Sequence, residues 1–435
     1  MRLFATLTAG LLIAAMSPAQ PVQQNPVTIA RHALDLLLEQ NYTELQSMFD
    51  QKMLQATRGG ALRRTVSPLL TSLGKPSKIG SARVQRSQQY EVVIFPIQFA
   101  SGGFNAVFSI NPQGKIAGMF LRPGQPATQA KWTAPAYAHP DRFHSLAVTV
   151  GQTWRLPGTL LTPVGQGPFP GVVLVQGSGP HDRDETIGPN KPFRDLAEGL
   201  ASQGIAVLRY DKRTLVYGRQ MAASTPNVTV EQETIEDAIN AVRLLQHQPG
   251  VASRRVFLLG HSLGGYLAPR IAEQDPAIAG LIILAGPARP LWALSLDQNR
   301  EFGATPQQLA QVKQQIAKIQ ALKPGQANSE SILGLPASYW LDLKNYNPTA
   351  AAKSLRMPML ILQGGRDFQV FKTDFDLWKS ALAGKPNATF HYYPDLNHLF
   401  MPGQGKSTPA EYNRPGHVSV NVVDQIAAWI KAAGR

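Results

Sequence analysis

Cysteine is missing from all 435 residues. That absence excludes disulfides, thiolate metal sites, a cysteine nucleophile and a lipid-bearing N-terminal cysteine, so the fold has to hold without covalent staples. Charge is also sparse, at 16% of residues, and acidic groups are sparser than basic ones: 28 Asp and Glu against 42 Lys and Arg, a formal net charge of +14. A surplus of this sign could favour anionic polymers or envelopes. The basic residues are nevertheless scattered mostly singly, with short pairs such as Arg63-Arg64 and Arg254-Arg255, and are not interleaved with aromatics. Nucleic-acid binding is therefore not expected. The chain has no H-E-x-x-H, EF-hand loop, Walker loop or G-x-G-x-x-G, so no metal and no cofactor is implied. Only one long apolar run exists, Leu3 to Met16, and it falls short of the roughly 20 residues of a membrane span. No integral membrane association is expected.

That run follows a basic residue and precedes Ser17 and Ala19, the three-part pattern of a secretory signal peptide. Residues 1–19 are read as a leader cleaved after Ala19, with an uncleaved anchor as the alternative, and the mature protein as secreted or periplasmic. Hydrophobic residues make up 43% of the chain, enough for a sizeable core, and 37 Gly with 34 Pro supply many turns.

After the leader, Ile29, Ala33, Leu36, Leu37, Leu45, Met48 and Phe49 recur at three- and four-residue spacing, which predicts amphipathic helices. YEVVIFPIQFA, GFNAVFSINPQG and KIAGMFLRP then read as strands divided by Gly and Asn-Pro turns. Helices followed by strands predict a small α+β domain over 25–123. The Pro-, Ala- and Gln-rich residues 124–142 read as a linker.

From residue 143 the pattern changes. FHSLAVTVG and WRLPGTLLTP read as leading antiparallel strands. PGVVLVQGS, IAVLRYD, RRVFLLG, GLIILAG and MPMLILQG are short continuous apolar runs, the signature of parallel strands covered on both faces. Helical stretches such as KPFRDLAEGLASQG alternate with them. The fold class expected over 143–435 is α/β, a doubly wound and mostly parallel sheet. One interval, 287–355, is too long for a simple crossover and reads as an inserted helical lid. Within it Tyr339, Trp340 and Tyr346 could contact substrate or pack in the core.

VFLLGHSLGGYLA places Ser262 between Gly260 and Gly264 at the end of an apolar strand and the start of a helix, the G-x-S-x-G elbow. Such a turn needs glycines because β-carbons would crowd it. Pro269 predicts a kink or irregularity in the helix that follows. A serine needs a base oriented by an acid. Asp367, in GGRDFQV after one apolar strand, and His398, in LNHLF after the next, stand in the right order at the right ends of strands. Asp374 and Asp376, at the start of the helix after Asp367, are weaker candidates; His391, inside a strand, and Asp395, too close to His398, read as structural. Two backbone donors for a developing oxyanion are expected from Leu263, after the nucleophile, and from Ser178 in VVLVQGSGPHDRDET, with Gly179 as fallback. Asp182, Arg183 and Asp184 read as a brace for that loop, and Asp211, Lys212 and Arg213 as structural.

These runs together resemble the α/β-hydrolase superfamily over about 143–435, and within it bacterial serine esterases of the dienelactone-hydrolase-related type. The residues before Pro123 resemble, less specifically, a small α+β domain that often precedes such esterases. The likeness implies an α/β-hydrolase fold and hydrolysis of a small-molecule ester through an acyl-serine. Ser262 argues against the dienelactone reaction itself, which uses a cysteine. Gln176 departs from the histidine that many hydrolases place before the oxyanion glycine. A serine peptidase or amidase, an acyltransferase and a non-catalytic binding protein on the same scaffold are the alternatives.

Overall fold

The computed structural model describes residues 25–87, 89–99, 102–123, 132–224, 228–325 and 331–433. The leader expected over 1–19 lies outside them. The chain divides into two compact units, 1–128 and 129–435.

In the smaller unit, helices α1 (Pro26–Leu38), α2 (Tyr42–Ser47), α3 (Gln51–Ala56) and α4 (Ala61–Leu73) precede strands β1 (Lys78–Ile79), β2 (Arg83–Ser87), β3 (Tyr90–Phe99), β4 (Gly102–Ile110) and β5 (Ile116–Pro123). All pairings are antiparallel; β3, β4 and β5 lie side by side and β1 and β2 share the outer edge of β3. Period-2 alternation puts Val93, Phe95, Ile97 and Phe99 of β3 and Ala106, Phe108 and Ile110 of β4 on the inner face. The apolar stripe of α1 (Ile29, Ala30, Ala33, Leu34, Leu37) covers them. Asn25 caps α1 by accepting from Val27 N–H at 2.9 Å, and Pro26 opens the helix where its missing N–H costs nothing.

The larger unit begins with β6 (Phe143–Val150), β7 (Leu156–Pro163) and β8 (Phe169–Val175), then α5 (Pro192–Ser202), β9 (Ala206–Tyr210), α6 (Arg213–Ser224) and α7 (Glu236–Gln246). A one-turn π-helix, Glu231–Ile235, leads into α7. Next come β10 (Val251–His261), α8 (Leu263–Gln274) and β11 (Leu281–Leu284). The 287–355 interval contains α9 (Leu291–Glu301), α10 (Pro306–Ala321), a small hairpin of β12 (Ser331–Ile332) and β13 (Leu335–Pro336), α11 (Ala337–Lys344) and α12 (Pro348–Ser354). The chain then returns through β14 (Met359–Gly364), α13 (Lys372–Ala381), β15 (Ala388–Tyr393) and α14 (Val420–Ala433).

Eight strands form one sheet in the order β15-β14-β11-β10-β8-β9-β7-β6. Pairings from β9 through β15 are parallel, and β6 and β7 are joined antiparallel at one end. The chain leaves β8 for β9 on one side and then crosses to β10 on the other. The loops after β8 and β10 therefore open side by side at a topological switch point, where α/β sheets place their sites. Alternate residues feed two cores, one on each face: Val173, Val256, Leu258 and Ile283 on one, Val172, Phe257, Leu259 and Ile282 on the other. Strands buried on both faces must be apolar throughout, which is why the sequence shows runs rather than alternation.

Two sequence expectations are corrected. α8 runs through Pro269 as a single helix, although Pro269 has no N–H to give the Gly265 carbonyl. Of the stretch expected as a linker, 124–131 lie outside the described residues, and 132–142 are fastened to the larger unit. The Trp132 indole N–H donates to Asp195 at 2.9 Å, the Tyr137 hydroxyl to the Val418 carbonyl at 2.7 Å, and the His139 N–H to Ser202 Oγ at 2.8 Å.

Phe257 on the central strand β10 is fully buried and meets Trp429 edge to face at 5.6 Å. Phe257→Ala should destabilise the larger unit by about 3–5 kcal/mol. Urea titration followed by tryptophan fluorescence checks this; a loss below about 1 kcal/mol would contradict the placement of the core.

Candidate active site

β10 delivers Ser262 at its carboxyl end, and α8 starts at the next residue. Ser262 has φ 53° and ψ −114°, a conformation that costs a non-glycine residue about 1–3 kcal/mol and persists only where packing imposes it. The packing here is backbone on backbone. A β-carbon on Gly260 would run into the Gly264 carbonyl, and one on Gly264 into the Val175 carbonyl. Ser262 N–H donates to Leu284 O at 2.9 Å, and Ser262 O accepts from Tyr266 at 2.9 Å. The side chain is left partly exposed, and Ser262 Oγ has no hydrogen-bond partner among the described residues. The Leu263 N–H opens α8, so it belongs to the first turn of donors that have no intrahelical acceptor.

Asp367 and His398, on the loops after β14 and β15, meet as a buried pair, His398 Nδ1 to Asp367 Oδ2 at 2.7 Å. Asp367 is fixed at both oxygens. Oδ1 accepts from the N–H groups of Gln369 (2.7 Å) and Val370 (2.9 Å), and Oδ2 also accepts from the Gln363 amide at 3.0 Å. The His loop is shaped by Asn397, whose side-chain oxygen accepts from the N–H of Leu399 and of Met401. A carboxylate on Nδ1 selects the tautomer whose Nε2 is free to act as a base. His398 lies beside the elbow: its ring centroid is 4.6 Å from that of His261, and its carbonyl meets His261 Nε2 at 3.0 Å.

The loop after β8 reaches Ser262 from the other side; a β-carbon on Gly177 would sit 3.2 Å from Ser262 Cβ. Ser178 is exposed, its carbonyl meets His181 Nε2 at 2.7 Å, and no acceptor takes its N–H among the described residues. The expected brace consists of specific contacts. Arg183 forks onto both oxygens of Asp211 (2.9 and 2.8 Å), Asp182 holds the N–H and hydroxyl of Thr186, and Asp184 pairs with Lys191 at 2.8 Å and with Arg209. Buried Gln176 donates to the Tyr210 carbonyl at the end of β9.

The weaker candidates lie elsewhere. Buried Asp374 holds Arg289 at 2.8 Å, Asp376 pairs with Lys372 on the surface, and His391 lies within β15. Tyr339 and Trp340 are buried, and the Tyr346 hydroxyl donates to the Tyr266 carbonyl at 2.9 Å, so these aromatics serve packing.

The sequence reading missed Glu185 and the role of His261. Glu185 is buried with φ 51°; its Oε1 accepts from Gly177 N–H at 2.7 Å and its Oε2 lies 3.0 Å from His261 Nδ1, off the hydrogen-bond axis. This pair joins the loop after β8 to the residue before the serine. A carboxylate in a Gly-rich loop with a histidine beside the elbow serine was the available signal. Burial alone would raise the Glu185 carboxyl, but the His261 charge and hydrogen bonding carry it below its ordinary 4.5. Burial alone would lower His261, but the Glu185 carboxylate lifts it above 6.5. Glu185 thus contributes stability above about pH 4.5, lost as pH falls through its lowered value. His261 contributes below about pH 6.5, lost as pH rises through its raised value.

Glu185→Gln should cost about 3–5 kcal/mol where both groups are charged, because it leaves a buried imidazolium unpaired. Urea denaturation at pH 5.5 and at pH 9 checks the sign: the gap between wild type and variant shrinks at the higher pH, and an equal gap at both would refute the ion pair.

A family model described as the alpha/beta hydrolase family matches residues 172–414, and one described as a protein of unknown function (DUF3887) matches residues 30–119. Esterase EstD of Thermotoga maritima is 43% identical over 343 residues, 79% of this chain and 80% of that protein. Human acyl-coenzyme A thioesterase 1 is 28% identical over 252 residues, 57% of this chain and 53% of that one. Among solved structures, Est1E from Butyrivibrio proteoclasticus is 16% identical with a TM-score of 0.43, covering 66% of this chain and 99% of that one. With a strained serine elbow, a buried Asp–His pair and a matching family model over more than half its length, this chain belongs to the alpha/beta hydrolase family.

Proposed function

We propose that the protein is an exported serine carboxylesterase that cleaves small-molecule esters of short to medium acyl chain. The observation that carries the reading is the 2.7 Å Asp367–His398 pair set beside the Ser262 elbow. The 43% identity to an esterase supports it, and the N-terminal run of residues 1–19 supports export.

In this reading His398 Nε2 takes the Ser262 hydroxyl proton while Oγ attacks the ester carbonyl. Asp367 keeps the imidazole in its working tautomer and stabilises the imidazolium. The Ser178 and Leu263 N–H groups receive the tetrahedral oxyanion. When the C–O bond to the alcohol breaks, the proton on His398 goes to the leaving oxygen, and Oγ remains acylated. Water then gives its proton to His398 and its oxygen to the acyl carbon; as the bond from that carbon to Oγ breaks, His398 returns the proton to Oγ, which releases the acid and restores serine and base. The missing Ser262–His398 hydrogen bond is compatible with this sequence, because such contacts often tighten only once substrate is bound.

Hydrolysis of p-nitrophenyl esters from acetate to palmitate tests the reading. Ser262→Ala should lower turnover by about 10⁶ and Asp367→Asn by about 10⁴, in protein of unchanged Tm. Folded wild type inactive on every ester, but active on p-nitroanilides, would replace the esterase with an amidase. N-terminal sequencing of the protein recovered outside the cytoplasm tests export; an intact Met1 or retention in the cytoplasm would refute it.

A further inference from the structure

Lys212 is 2% exposed, just after β9, and its ammonium donates to the Gly177 carbonyl at 2.8 Å. Glu233, in the π-helical turn and also buried, stands 3.1 Å away as its counter-charge. The other Glu233 oxygen accepts from the Tyr339 hydroxyl at 2.6 Å. A neutral side chain could satisfy a carbonyl oxygen at far lower cost than two buried charges, so the charge itself calls for a purpose.

The Gly177 carbonyl and the Ser178 N–H belong to one peptide group. A cation on the oxygen draws electron density along that amide and makes its N–H a stronger donor. The field also grows in value as negative charge collects on the substrate oxygen, so its benefit appears in the transition state more than in the bound ester. We propose that Lys212 is a positioning residue of the oxyanion site, polarising the Gly177–Ser178 peptide from behind, with Glu233 as its ion-pair partner and Tyr339 fixing Glu233 from the inserted segment. The assignment rests on the serine-esterase reading above.

The test uses the full chain and the same p-nitrophenyl esters, with wild type and Ser262→Ala measured first. Lys212→Met and Lys212→Gln remove the charge with side chains one atom shorter. Losing one oxyanion donor outright costs about 10²–10³ in kcat, so losing only its polarisation should cost about tenfold, with KM within about threefold. An alkyl boronic acid, which forms a tetrahedral anion on the serine, should bind more weakly by the same factor as kcat falls. Lys212→Arg, which keeps a cation, should recover part of kcat. Retention of kcat within about threefold in a folded neutral variant overturns the proposal, as does a loss shared equally by kcat and KM. Failure of both neutral variants to fold also overturns it, since the ammonium would then be structural. Wild type with no Ser262-dependent hydrolysis brings down the esterase reading and this proposal together; full activity in Lys212→Met brings down the proposal alone.

Discussion

Three glycine backbones close around one serine, and the position of everything else in the site follows from that contact. Gly260 and Gly264 pass each other across the elbow, Gly264 presses against the Val175 carbonyl, and Gly177 lies against Ser262 itself. Because no β-carbon intervenes, the ends of β8 and β10 approach more closely than side chains would allow. That approach brings the loop after β8 against the Ser262 elbow. The strain at Ser262 is therefore maintained by sheet geometry rather than by any one hydrogen bond. It is stored where two parallel strands and a helix start have little freedom to relax.

Ionic contacts then fix what the glycines leave loose. A protein with few acidic residues spends several of them around this loop: Asp182, Asp184, Glu185, Asp211 and Glu233 all face N–H groups or cations within it or just behind it. Glu185 ties the loop to His261, His261 reaches the His398 carbonyl, and Lys212 holds the next peptide. The Ser262 elbow, the Asp367–His398 pair and the loop after β8 share one polar framework. A change at any member is felt by the others because an unpaired charge at this depth has no water to turn to.

The Ser262 elbow and the loops that bring Asp367 and His398 together were legible because each follows an apolar run. The turns that carry Ser178 and Leu263 were legible because such turns show as glycines. Glu185 and Lys212 were not. Their partners lie on neighbouring strands, and that adjacency depends on β8 sitting between β9 and β10, an ordering no run of residues declares. Composition hid the strap 132–142 in the same way. Its Pro, Ala and Gln suggest a spacer, whereas Trp132, Tyr137 and His139 are the residues that matter.

The strap sets the true edge of the larger unit. Asp195 is a fully buried carboxylate on α5, and the Trp132 indole, the Val418 N–H and the His417 ring share it. A chain cut at Phe143, where the first strand begins, would keep every strand and helix of the sheet yet strip one of those partners from Asp195. A chain cut ahead of Trp132 would keep all three. The larger unit, residues 129–435, is thus longer than its secondary structure suggests.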